Sequence, residues 1–165
     1  MWAQGRTFSH IAASFPWLDT ISGGVYGITV ARVVIDTNVL VAALRSSSGA
    51  SFQILLAADK GEFEMALSVP LLTEYEDVCR RAECGIQLSS QTVDMIICRI
   101  AQVAIQQPIY YLWRHVLPDP KDDMVLEVAV ASGATHIVTF NQKDFRQAAE
   151  FGVCVISPSM FLAIL

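Results

Sequence analysis

Charge is scarce in this sequence: 11 Lys and Arg stand against 16 Asp and Glu in 165 residues, a net charge of −5. So few basic residues exclude a protein that grips a polyanion by overall attraction, as a basic DNA-binding domain does. Any nucleic acid bound here must be held locally and with the help of a cation. The four cysteines, Cys79, Cys84, Cys98 and Cys154, form no CxxC pair and have no histidine at zinc-site spacing. That excludes a zinc finger and points to reduced, structural thiols in a cytoplasmic protein. No apolar run reaches the roughly 18 to 20 residues of a membrane helix before Gly, Pro or a charge breaks it. His10, His115 and His136 share no spacing from which a catalytic pair or a metal cluster can be built.

What is present is a chain with 53% hydrophobic residues, long enough for one sizeable core and too short for two ordinary domains. Residues 1–31 carry only Arg6 and Asp19 and show neither sustained periodicity nor the pattern of a secretory signal. They are expected to form an extension outside the fold. Because Val30-Ala31-Arg32-Val33-Val34-Ile35 reads like a domain's own opening strand, a translation start near Val30 is a specific expectation. From Arg32 onward, short β-branched runs alternate with helical patterns, the signature of a parallel sheet covered by helices on both faces.

The elements follow in order. Val33–Ile35 is a strand, Asn38–Leu44 and Ala50–Lys60 are helices around a Ser46–Gly49 break, and Met65–Leu67 is a second strand. Pro70 suits the first turn of the next helix. Ser89 or Ser90 caps an amphipathic helix over Gln91–Ile105, with Val93, Ile96, Ile97 and Ile100 on its buried stripe. A third strand is expected near Ile109–Leu112. Asp122–Ser132 reads as a helix stopped by Gly133, His136–Phe140 as a central strand, Phe145–Phe151 as a short helix, Val153–Ile156 as a last strand and Pro158–Leu165 as a closing helix.

In an open α/β sheet, ligands bind beyond the carboxyl ends of the strands. Two strand ends carry polar residues: Ile35-Asp36-Thr37-Asn38 and Val138-Thr139-Phe140-Asn141. Asp122 and Asp123 open the helix that leads into the second of these strands, which can bring them to the same edge. Carboxylates crowded into one cleft repel unless protons or cations neutralise them, and hard divalent ions suit such oxygen ligands. Each acid also has a bland explanation. Asp36 can cap the helix after it, and Asp122 can complement the dipole of a helix capped by Asp119 with Pro120 at its first position. Glu74 and Glu76 both flank the apolar stripe of their helix, so periodicity does not choose between them. Asp144 can cap the helix that follows it.

These residues resemble the PIN domain. Val34-Ile35-Asp36-Thr37-Asn38-Val39-Leu40-Val41-Ala42-Ala43-Leu44 is similar to that family's opening motif. The likeness continues through Leu72-Thr73-Glu74-Tyr75, Leu117-Pro118-Asp119-Pro120-Lys121-Asp122-Asp123 and Ile137-Val138-Thr139-Phe140-Asn141-Gln142-Lys143-Asp144-Phe145, and ends at Val155-Ile156-Ser157-Pro158 before Phe161-Leu162. It covers Arg32–Leu165 and looks closest to VapC-like toxins of toxin–antitoxin pairs.

The resemblance implies a three-layer α/β/α sandwich around a central, mostly parallel sheet of four to five strands. It also implies a Mg²⁺- or Mn²⁺-dependent ribonuclease, an antitoxin partner and a homodimer. Carried over by position, Asp36, Glu74 and Asp123 are its metal ligands and acids, with Asn38 orienting Asp36. Many relatives have Asp where Asn141 stands; others have a Thr-x-Asn-x-x-Asp-Phe form that Thr139 to Phe145 fits, which makes Asp144 the fourth acid and leaves Thr139, Asn141 and Asp122 in support.

Other assignments compete. A haloacid-dehalogenase-type phosphatase needs a second Asp where Asn38 stands, and a receiver domain needs an acid near Ala66-Leu67-Ser68, which has none. A non-toxin RNA-processing nuclease, and a degenerate PIN domain that binds RNA or protein without cutting, stay open. Arg45, Lys121, Lys143 and Arg146 are candidates for phosphate contact. Tyr110, Tyr111 and Trp113 are expected to pack in the core or an interface sooner than to stack on bases. The apolar stripes of Ala50–Lys60 and Gln91–Ile105 suit either a core or a dimer interface.

Overall fold

The computed structural model describes residues 31–112 and 116–165. Residues 1–30, on which the expected extension and His10 fall, and residues 113–115, with Trp113 and His115, lie outside the described residues.

The sheet grows from the middle. Strand β1 (Arg32–Ile35) pairs on one side with β2 (Glu64–Leu67) and on the other with β4 (His136–Val138); β3 (Ile105–Gln106) and β5 (Cys154–Ile156) take the edges. The order is β3-β2-β1-β4-β5 and every pairing is parallel. Parallel strands covered on both faces must be apolar throughout, and Val33, Val34 and Ile35 are wholly buried. The helices are α1 (Thr37–Arg45), α2 (Ala50–Asp59), α3 (Val69–Cys79), α4 (Ser90–Val103), α5 (Asp123–Ser132) and α6 (Pro158–Ile164). Helix α5 lies against β1, β2 and β4, while α1 packs on α2 and α3, and α2 on α6. This is the expected sandwich with a five-stranded parallel sheet.

Local signals set most boundaries. The Ser68 hydroxyl accepts from the Leu71 N–H at the start of α3, with Pro70 in the first turn, and Ser89 accepts from the Thr92 N–H at the start of α4. Gly133 ends α5 in the left-handed region, at φ 67°.

Several boundaries differ from expectation. The third strand is Ile105–Gln106, not Ile109–Leu112: Gln107 N–H donates to Leu67 O, and Pro108, with no N–H, cannot extend the ladder. The aromatic run after it has no regular structure, and Tyr110 and Tyr111 are 82% and 79% exposed, so neither packs in the core. The apolar stripes of α2 and α4 are taken up by the core, where Phe52, Ile54 and Leu55 meet Val93, Ile96 and Ile100. All four cysteines are unpaired; Cys79 is buried, Cys84 partly so, and Cys98 and Cys154 are exposed. Among the described residues, no single helix is long and apolar enough to cross a membrane.

Candidate active site

The chain leaves β1 for β2 and β3 on one side, then returns to β4 and β5 on the other. That reversal opens a crevice at the carboxyl ends of β1 and β4. The two polar strand ends meet there. Asp36 is 5% exposed; its N–H donates to Val138 O at 3.0 Å, continuing the β1–β4 ladder. Its Oδ2 accepts from Asn38 Nδ2 at 2.7 Å and from Thr139 Oγ1 at 2.6 Å. Asp36 occupies the N-cap position of α1, yet its side chain makes no cap bond. Its orientation is set by the Asn38 and Thr139 side chains. Asn38 Nδ2 also reaches Thr139 Oγ1 at 3.2 Å, and Asn38 Oδ1 accepts from the Phe140 N–H at 3.3 Å. Because that N–H turns to Asn38, β4 stops at Val138, short of the expected Phe140.

An open cleft of about 580 Å³ lies over this network, lined among others by Asp36, Glu74, Asp119 and Asp122, with Arg45 and Lys121. Glu74 is thereby distinguished from Glu76, which pairs with Arg80 at 2.7 Å. The next residue fixes the helix that carries Glu74: Tyr75 is fully buried, and its hydroxyl donates to Ile35 O, one residue before Asp36.

The Asp122–Asp123 pair divides its tasks. Asp122 is the member that lines the cleft. Asp123 is 5% exposed, and its Oδ1 accepts from the Leu117 N–H at 2.9 Å. Helix α5 begins at Asp123, later than a cap at Asp119 requires, because 119–122 form a turn in which Asp119 Oδ1 accepts from the Lys121 N–H. Asp144 does not cap the helix after it either, since the N-cap of the 3₁₀ helix Arg146–Phe151 is Phe145. The Asp144 carboxylate instead accepts from Asn141 Nδ2, and the Asn141 N–H donates to Thr139 Oγ1 at 2.9 Å. Lys143 and Arg146 are exposed, and His136 is engaged with Thr135 at 2.8 Å.

Crowding shows in the protonation equilibria. Burial raises the Asp36 carboxyl above its ordinary value, against the opposing effect of the Thr139 hydrogen bond. Asp122 is pushed up to about 6, first by burial and then by the charges of Asp36, Asp119, Asp144 and Asp123. Since the folded value exceeds the ordinary 3.8, the folded chain holds a proton that the unfolded chain has released between about pH 4 and pH 6. This group's contribution to stability is complete below that window and lost as the pH rises through it. In chelator, the melting temperature is expected to fall from pH 4.5 to pH 7, and Asp122→Asn should flatten the fall. Identical slopes for the two proteins would contradict the assignment.

Among the described residues, no three His, Cys, Asp or Glu side chains converge closely enough to enclose an ion. The donor chemistry nevertheless fits a hard divalent cation. The acids on the cleft are all oxygen donors whose mutual repulsion a cation would relieve, and Mg²⁺ keeps several waters, so it needs only one or two carboxylates. An open acidic platform meets that need.

Phe140, two residues past the end of β4, lines the same cleft and is not singled out by sequence. Its apolar character merges with Ile137 and Val138; the available signal was its place one residue past Thr139. A family model described as PIN domain matches residues 32–143, more than half of the chain. No curated protein matches it. With the parallel sheet, the strand-end acids and that match together, the chain belongs to the PIN-domain family, whose fold is that of nucleases.

Proposed function

We propose that this protein is a Mg²⁺- or Mn²⁺-dependent endoribonuclease that hydrolyses RNA phosphodiester bonds. The observation that carries the proposal is the shared cleft of Asp36, Glu74 and Asp122 at the carboxyl edge of the sheet. One or two of these carboxylates, with water completing the shell, would hold the ion. Asp123 stays in the candidate set, supporting the loop at Leu117 through its hydrogen bond. When bound, a divalent ion supplies Lewis-acid stabilisation at the attacked phosphate and eases deprotonation of the attacking water. The chain's own residues do the positioning. Asn38 and Thr139 hold one oxygen of Asp36 from two directions, which fixes the carboxylate plane before substrate arrives. Asn141 serves Asp144 by donating to it, so its amide orients the fourth acid instead of replacing it. That favours a cutting enzyme over a degenerate, binding-only domain.

The nuclease unit is residues 32–165, with 1–31 as an extension. We further propose the toxin role, with a cognate antitoxin and a homodimer. Its support is the resemblance of the opening motif, together with apolar surface left on α6 at Met160 and Ile164. A small open reading frame encoding an antitoxin beside this gene favours the toxin role; its absence favours an RNA-processing nuclease.

The direct test is incubation with mixed single-stranded RNA. Cleavage is expected in Mg²⁺ or Mn²⁺, is lost in EDTA and returns when the metal is restored. Cleavage that persists undiminished in EDTA would overturn the metal-dependent mechanism.

A further inference from the structure

Phe140 is 58% exposed, although it follows a strand whose Ile137 and Val138 are wholly buried. Its position is held closely. Its N–H is bound by Asn38, the residue that also grips Asp36, while its neighbours Thr139 and Asn141 are tied together through the Thr139 hydroxyl. The backbone therefore carries the ring on the wall of the cleft that Asp36, Glu74 and Asp122 line. A rigid backbone presenting a solvent-exposed aromatic face beside an acidic centre is poorly explained by packing.

Charge considerations say what the face is for. The chain carries −5, and the cations on the cleft are Arg45 and Lys121. Both are exposed, and neither makes an ion pair among the described residues. The Arg45 side chain lies over Gly85, beside the Ala82–Cys84 turn. Two free cations can meet phosphates, but they cannot supply the affinity that a basic groove gives. A strand held near this many carboxylates needs a neutral source of binding as well. Stacking of a base on an aromatic ring is one, and it is insensitive to the local charge.

We propose that Phe140 is the platform on which an unpaired nucleobase of the RNA stacks, setting the strand's register against the acids while Arg45 and Lys121 meet its phosphates. The inference rests on the ribonuclease reading. Phe140 is thus a positioning residue that touches substrate away from the reacting atoms.

The test uses short single-stranded RNAs carrying 2-aminopurine at successive positions, titrated into the full chain in the Asp36→Asn background, so that cutting does not deplete the probe. With Phe140 present, one position of the probe is expected to be quenched on binding. Phe140→Ala should abolish that quenching and weaken binding by about 5- to 150-fold, the range that base stacking spans. Phe140→Trp should preserve both. Equal quenching and affinity with Ala would overturn the proposal. So would an Ala variant that changes only the oligomeric state in sedimentation, which would make the ring a protein contact. Cutting of the same RNAs by the chain with Asp36 intact is scored separately. Ring-dependent quenching without cutting supports the platform and removes the nuclease reading, whereas cutting without ring dependence removes the platform alone.

Discussion

Asp36→Asn is expected to lower RNA cleavage in Mg²⁺ by at least about a thousandfold, since the several kcal/mol that a bound ion contributes is converted at about 1.4 kcal/mol per tenfold in rate. The fold should be unharmed. Asparagine keeps an oxygen that can accept from Thr139 or Asn38, and it removes a buried charge whose ionisation the folded protein already disfavours. The variant should therefore melt at or above the temperature of the parent, the usual trade of stability against activity at a site of like charges. Measuring both quantities on one preparation is decisive. Undiminished cleavage removes Asp36 from the mechanism, and a large fall in melting temperature would show that its role is structural.

Phe145→Ala is expected to be the most damaging change outside the site. Phe145 is wholly buried, and removing such a ring costs about 3–5 kcal/mol through lost burial and the cavity left behind. That is a large share of the roughly 5–15 kcal/mol available to a domain, and it should appear as a drop of about 6 to 20 °C in melting temperature. The ring also anchors one end of the loop bearing Asn141 and Asp144, whose turn is closed by the Asp144 N–H on Asn141 O and the Phe145 N–H on Gln142 O. Urea unfolding that shifts by under about 1 kcal/mol would show that the surrounding residues refill the space.

Much of the molecule is legible in the one-dimensional pattern. The change from Val33-Val34-Ile35 to Asp36 marks a strand end, and the apolar spacing along Gln91–Ile100 marks a buried helical face. The limits arise where the deciding contact lies far away in the chain. Glu74 and Glu76 have equal claims on periodicity, and the choice is made by how α3 docks on β1, through Tyr75 and Ile35, 40 residues apart. Asp122 and Asp123 differ by a single step of a helix, so their directions depend on where α5 starts. That start is set by the 119–122 turn and not by Pro120. The Ile109–Leu112 run has strand-forming residues but follows Pro108, and intrinsic preference there lost to the missing donor.

The bond between Thr139 and Asp36 joins residues 103 positions apart, and this separation has a temporal meaning. A chain synthesised only as far as Ser132 already possesses Asp36, Glu74 and Asp122, but it lacks β4, the strand that forms the other wall of the crevice. Contacts of such long reach close late in folding. The acids are thus held in their working arrangement only after nearly the whole polypeptide has been made and its sheet completed. Completion of the acidic crevice is in this sense a certificate of finished folding: a chain without β4 has the acids but not the wall that fixes Asp36.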